Sequence, residues 1–353
     1  MKIAFHPKLL DCLPTYNRAQ FAKDLASGIT VGVLALPLAM AFAIASGASP
    51  TAGIWTAIVA GFITSAFGGS RVQIGGPTGA FIPIVYGIVA MHGFANLMGA
   101  TILAGIFLLA MGIARMGQLI RFIPVTVVIG FTNGIAVVIF LAQLKDFFGL
   151  QIDNLPAEFF HRIKTLAAHA HTVDLPTLAL ATACFAFLLS YNRLAERFAL
   201  LRHAPGPLVV LIVGTLVTFV FDLPVETIGS RFNGIPQELP AFGLPSLSVH
   251  DLGKLISPAI TIALLGAIES LLSARVADSQ IDDRHDPNQE LIAQGLSNIA
   301  APLFGGFAAT GAIARTTTNV KTGGRTPIAG IIHAVVLLGI VLVAAPLAAY
   351  VPL

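Results

Sequence analysis

The 353-residue chain is 56% hydrophobic and only 10% charged, with a mean hydropathy of +0.86 and a formal net charge of +3. Soluble globular domains carry about a quarter charged residues, so this composition excludes a water-soluble fold and makes lipid the solvent for most of the surface. The small, unclustered basic excess excludes nucleic acid as a partner, and two cysteines, Cys12 and Cys184, offer neither a disulfide framework nor a metal spacing.

Residues 1–24 hold Lys2, Lys8, Arg18 and Lys23 with Asp11 and Asp24, and lack the apolar stretch of a signal peptide. They read as a cytoplasmic juxtamembrane segment. From Leu25 to Ser70 no residue is charged. Apolar windows predict helices over 25–45, 51–68, 77–91, 95–114, 122–144, 174–192, 204–221, 254–275, 287–304, 315–323 and 326–345. Most approach the roughly 18–20 residues that span a bilayer, so the expected fold is an all-α polytopic membrane protein. The third, ninth and tenth are too short or too glycine-rich to cross alone. Between the fifth and sixth, "LQIDNLPAEFFHRIKTLAAHAHTVD" predicts an amphipathic segment lying on the surface, with His169 and His171 in it. An acidic linker over 221–251 joins the seventh to the eighth, and 276–298 forms a charged connection into the ninth helix. Its Asp282, Asp283, His285 and Asp286 fit a solvated loop better than a metal site, and no metal is expected.

Threading from a cytoplasmic N-terminus places thirteen basic residues inside and five outside. That asymmetry is expected of a multi-pass protein of the inner membrane in this orientation. Arg71 and Arg315 are left over, at membrane depth or at its lip. They sit beside a repeat: "FGGSRVQIGGPTGAF" (67–81) is echoed by "FGGFAATGAIARTTT" (304–318), and the threading gives the two stretches opposite orientations. Paired glycine-interrupted segments in two halves mark an inverted-repeat transporter. Backbone that is not helical at membrane depth must find partners in protein. Two short extended segments can pair with each other, each then starting a half-helix whose free N–H groups favour an anion. Pro77 suits a first helical turn. A bare turn between helices is the competing reading of Gly-Gly-Pro-Thr-Gly.

Arg315 follows 24 uncharged residues. An arginine near the bilayer centre costs about 2.5–3.5 kcal/mol on insertion scales, so it is expected to be paired or to line an aqueous path; the alternative is a side chain snorkelling to the cytoplasmic face. Glu269 lies inside the eighth span and reads as the place for a coupling proton or sodium ion, or else as a static partner of Arg315. Ser270 and Ser273 on the same span, with Thr78 and Thr316, add hydroxyls. No GxSxG, HExxH or CxxC occurs, and "KTGG" lacks the spacing of a phosphate loop. An enzyme is therefore disfavoured, and no cofactor beyond H+ or Na+ is expected. A passive anion channel competes more strongly, but has no need of a buried Glu269.

"PLAMAFAIASGASPTAGIWTAIVAGFITSAFGGSRVQIGGPTGAF" (37–81) resembles the first three spans of the SulP (sulfate permease) family of anion transporters. "LLGAIESLLSARVAD" (264–278), "NQELIAQGLSNIAAPLFGGFAATGAIAR" (288–315) and "TTTNVKTGGRTPIAG" (316–330) resemble its eighth to eleventh spans. The resemblance implies a seven-plus-seven inverted repeat with two half-helices at the midplane and an elevator-like movement of a core domain against a gate domain. It places the substrate at Gly76, Pro77, Thr78, Gly79, Phe81, Ala314, Arg315 and Thr316, and the coupling ion at Glu269 with Ser270 and Ser273. It further implies core-domain segments over 25–114 and 254–353, a gate-domain segment over 115–253, and a homodimer. The remaining gate spans and a cytoplasmic STAS domain would follow the second repeat, which is incomplete here. Family substrates include sulfate, bicarbonate, chloride and C4-dicarboxylates. Where many members carry Glu or Gln after the first-span proline, Leu38 follows Pro37, which throws more weight on Glu269. The related nucleobase transporters place an acidic residue near the tenth span's start, where this chain has Arg315, so an anion is the better expectation.

Overall fold

The computed structural model describes residues 5–118, 125–153, 155–156, 158–197, 206–232, 240, 242–245, 252–344 and 349–352. The expected helix starts at 122 and 204, the helix end at 345, part of the 221–251 linker, and Lys2, Arg121 and Arg202 lie outside the described residues. The chain divides into two compact units, Met1–Thr132 with Leu239–Leu338, and Asn133–Glu238 with Gly339–Leu353.

The first unit opens with a short helix α1 (Lys8–Cys12) and then α2 (Arg18–Ala45), α3 (Pro50–Phe67), a two-residue strand β1 (Gly75–Gly76) and α4 (Ile82–Ile113). Caps explain the boundaries. Asn17 Oδ1 accepts the Gln20 N–H at 3.0 Å to start α2, and Ser49 with Pro50 starts α3. Helix α2 thus begins seven residues before the expected span, drawing the charged juxtamembrane residues 18–24 into its first two turns. Pro37 lies inside it, and Leu38 beside that proline faces outward. In α4 the helical path breaks at Gly93 (φ 80°, ψ 167°), a conformation glycine tolerates. This is the boundary expected between the third and fourth spans.

Helix α5 (Val125–Phe148) begins in the first unit and continues into the second, where a surface helix α6 (Phe159–Ala168), α7 (Leu175–Arg197), α8 (Gly206–Val220) and α9 (Ile228–Phe232) follow one another. Arg231 bridges Asp146 at 2.8 Å and also Glu226. Helix α6 keeps Arg162 and Leu166 buried and exposes Phe160 and Ile163, as its amphipathic sequence predicts.

The chain then returns to the first unit with α10 (Leu252–Ile281), α11 (Pro287–Leu303), β2 (Thr310–Gly311), α12 (Ile313–Lys321) and α13 (Pro327–Gly339). Helix α10 runs six residues past its expected end, so the charged connection is only the bend at 282–286. Asp286 caps α11 by accepting the N–H groups of Asn288 and Gln289. Small residues bring the helices together: a methyl on Gly105 of α4 would meet the Gly295 carbonyl of α11 at 2.7 Å. Four helices among the described residues are long and apolar enough to cross a bilayer, and shorter apolar helices accompany them. The protein is an integral membrane protein. Helix α12, with nine residues, reaches only about 14 Å at 1.5 Å per residue, half a bilayer core.

Candidate functional site

Two strand-to-helix crossings meet inside the first unit. Strands β1 and β2 pair antiparallel, Gly75 opposite Gly311 and Gly76 opposite Thr310, and the Ala312 N–H donates to the Ile74 carbonyl at 2.8 Å. The extended backbone of each segment is thereby satisfied by the other, which a bare turn would not achieve. Beyond β1 the chain passes Pro77 and the extended Thr78 (φ −132°, ψ 156°) into a turn of 3-10 helix over Gly79–Phe81, and then α4. Pro77 therefore precedes the helix rather than occupying its first turn. The proline of that first turn is Pro83, and the helix starts later than the expected residue 77. Beyond β2, α12 begins at Ile313, two residues before the expected 315.

Arg315 is 3% exposed, so it does not snorkel to a face. Its Nη2 donates to the Pro77 carbonyl, tying the second crossing to the first. Its Nη1 is buried with no hydrogen-bond partner among the described residues. Gly76 makes room for the guanidinium: its φ is +146°, and a methyl there would lie 2.5 Å from Nη1. Each helix start leaves N–H groups without intrahelical partners and the positive end of a peptide dipole. An unpaired guanidinium N–H beside such starts is a place for negative charge.

Glu269 on α10 is 5% exposed and accepts a hydrogen bond from Thr78 Oγ1 at 3.0 Å. The Thr310 hydroxyl lies within reach of both Thr78 and this carboxylate. No ion pair within 4.0 Å joins Glu269 to Arg315, although each acts on the other's charge. The alternative of a static pair is thus replaced by two separated charges, one bound to hydroxyls and one to a carbonyl.

The remaining candidates divide between site and support. Gly76, Pro77, Thr78 and Gly79 line the first crossing and are buried. Phe81 is buried toward Gly266 of α10, while Ala314 is exposed at the α12 start. Thr316 Oγ1 accepts the Ile74 N–H at 3.0 Å and meets Ser273 Oγ at 3.4 Å; Ser270 Oγ accepts the Gly311 N–H at 3.0 Å. These three hydroxyls hold the strands in place. Arg71 lies outside the site, pairing with Asp283 at 2.9 Å. His285 meets Asp278 at 2.6 Å, and Asp286 caps α11, so the charged residues of that bend are engaged locally.

Several positioning residues escaped sequence reasoning. Asn298 clamps residue 309 in both directions, donating to its carbonyl at 2.8 Å and accepting its N–H at 2.9 Å. Asn319 donates to the Val72 carbonyl at 2.8 Å, and Thr56 accepts the Phe307 N–H at 2.9 Å. Gln73 joins α10 to α11. The signal available for them was an amide or hydroxyl in an otherwise apolar window, a mark too common in membrane helices to single out a role.

Two half-helices entered through paired strands define an inverted-repeat membrane protein. The chain belongs to the sulfate permease family, whose profile matches residues 21–353. It is 45% identical over 339 residues to YvdB, a candidate sulfate transporter of Bacillus subtilis (strain 168), covering 96% of this chain and 63% of the relative. To the bicarbonate transporter BicA of Synechocystis it is 34% identical over 345 residues, covering 94% and 58%. The chain therefore spans about three fifths of the length of these relatives. Among solved structures, the transmembrane domain of a cyanobacterial bicarbonate transporter BicA superposes with a TM-score of 0.80 at 33% identity, covering 96% of this chain and 86% of that one. SLC26A9, at 20% identity, shares the fold with a TM-score of 0.77 over 98% of this chain and 57% of that one. These relatives are transporters by name and not enzymes.

Proposed function

We propose that this chain carries the binding site of a secondary transporter of small anions, with sulfate or another oxyanion, bicarbonate and C4-dicarboxylates as the substrate classes. The observation that carries this reading is the buried Arg315 Nη1, unpartnered beside two helix starts. The anion sits there, held by the guanidinium and by backbone N–H groups of residues 78–80 and 313–315, since the N–H groups of Phe81 and Thr316 already donate to the Thr78 and Ala312 carbonyls. Glu269, kept apart from Arg315 and hydrogen-bonded by Thr78, takes the coupling H+ or Na+. Because Thr78 belongs to the anion-side backbone, occupancy of one site alters the other. Movement is of the elevator type, the protein works as a homodimer, and it lies in the inner membrane with its N-terminus cytoplasmic, as the basic-residue asymmetry favours.

The test is uptake by the full-length protein in liposomes. Labelled sulfate, bicarbonate and succinate are supplied in turn, with and without imposed proton or sodium gradients. Gradient-driven accumulation of one of them is the expected result. Equilibration that never exceeds the outside concentration would replace this reading with a passive anion channel.

A further inference from the structure

Glu290 is a second carboxylate in the same unit, fully buried and outside the set used above. Among the described residues no cation lies within 4.0 Å of it. Its partners are neutral donors: the Gly69 N–H reaches Oε2 at 3.0 Å, and the side-chain amides of Gln73 and Gln294 each reach Oε1 at 2.9 Å. Both amides are themselves buried, and the oxygen of each has no hydrogen-bond partner. An ionised carboxylate held by three N–H groups therefore sits among acceptors that lack donors. Such an intramembrane carboxylate, with no cation in contact and only His285 acting on its charge from a distance, is costly unless it has a use.

Two helix ends act on it in opposite senses. Glu290 lies in the first turn of α11, whose dipole favours its negative charge. Gly68, the residue that ends α3, faces it from the other side. A side chain on Gly68 would meet both the Thr64 carbonyl and Glu290 Oε2. The negative end of a helix dipole disfavours an anion, and the Phe67 and Gly68 carbonyls here are already engaged by Gln289 Nε2 at 2.7 Å and the Lys8 N–H at 2.9 Å. The ligand that suits this place is a proton. A metal ion needs converging oxygens, whereas here N–H hydrogens already cover the carboxylate.

We propose that Glu290 is a proton-binding site separate from Glu269, and that its charge state reaches the anion site through Gln73. The Gln73 amide donates to Glu290 and, at 3.0 Å, to the Ser270 carbonyl. An amide oxygen facing that carbonyl would be repelled, which fixes the orientation of the Gln73 side chain. Ser270 follows Glu269 in sequence, and its Oγ holds the Gly311 N–H of β2. Protonation of Glu290 removes the charge that the Gln73 and Gln294 amides hold. The ionisable groups on neighbouring elements are paired elsewhere or exposed, as Arg275 of α10 is, although His285 also acts on the Glu290 charge. Arg71 and Lys8 face Asp283, His285 faces Asp278, Asp286 caps α11, Glu269 faces Thr78, and Arg315 faces Pro77. Helix α3 carries none, and Tyr86 and His92 of α4 lie away from its crossing with α11 at Gly105 and Gly112.

Proton binding at Glu290 stands on its own; only its effect on transport rests on the proposed function. The experiment is an infrared pH titration of the full-length protein, following the carbonyl stretch of protonated carboxylic acids. A reversible band is expected that is lost in Glu290→Gln and kept in Glu269→Gln. Should Glu290→Gln fail to fold, Gln294→Leu removes one donor to the ionised form and should move the band's titration to higher pH. A band set unchanged by Glu290→Gln, or a titration unmoved by Gln294→Leu, overturns the proposal whatever the uptake assay shows. In that assay Glu290→Gln should flatten the pH dependence of uptake with anion affinity retained; an unaltered pH profile would overturn the link through Gln73.

Discussion

Residues 75–81 reach the site through Gly-Gly-Pro-Thr-Gly, without a charge; residues 310–316 reach it through Thr-Gly-Ala-Ile-Ala-Arg-Thr, with Arg315 in the first turn of the helix. The backbones match, strand into helix in each case, and the strands pair with each other. Their side chains are engaged differently. Thr78 spends its hydroxyl on Glu269, whereas Thr316 spends its own on the Ile74 N–H. The first crossing thus offers backbone that a ligand can approach and a link to the carboxylate. The second supplies the positive charge. Two halves of similar shape have divided the work, so anion affinity and cation response should be separable by mutation.

Gly76→Ala should break this arrangement most severely. The methyl would collide with Arg315 Nη1 at 2.5 Å, and the φ of +146° adds strain of about 1–3 kcal/mol. Uptake is expected to vanish, with a lowered unfolding temperature that calorimetry would record. Arg315→Lys comes next. It keeps the charge but loses the planar fork that spans the Pro77 carbonyl and the open side of the site. A loss of about 1.5–3 kcal/mol, roughly ten- to a hundredfold in anion affinity, is expected from equilibrium binding. Glu269→Gln should leave anion affinity within about tenfold, since one pK-scale interaction at most is removed, and should abolish acceleration by the driving gradient. A full gradient response in that variant would move coupling elsewhere. Thr78→Val is the mildest. Removing one hydrogen bond to the carboxylate should cost about 1.5–3 kcal/mol of the ionised form. It should show as a shifted cation dependence of uptake at unchanged anion affinity, and an anion-affinity loss instead would place the hydroxyl on the substrate.

Much of this was legible in the sequence because the informative features are local. An uncharged window interrupted by glycines, its echo in the second half, and an arginine and a glutamate at membrane depth each stand out against lipid as solvent. The pairing of the two extended segments followed from the need to satisfy backbone there. What could not be read depends on distant partners. Nothing local distinguishes Gln73 or Asn298, which hold backbone from α10 and residue 309, from an amide that merely packs. Glu290 looked like part of a charged connection until α10 and the Asp286 cap confined that connection to 282–286. Arg71, equally isolated in sequence, is drawn out to Asp283 by chain geometry that begins 212 residues later. The α4 start shifted past Pro77 because Thr78 stays extended to reach Glu269.

The central claim is that Arg315 Nη1 is open because an anion belongs there. Titration calorimetry of the full-length protein, wild type beside Arg315→Ala, with sulfate, bicarbonate and succinate in turn, tests it directly. The account predicts a binding heat for at least one anion in the wild type, lost in Arg315→Ala while the variant still unfolds cooperatively. Equal heats in the two proteins would contradict it.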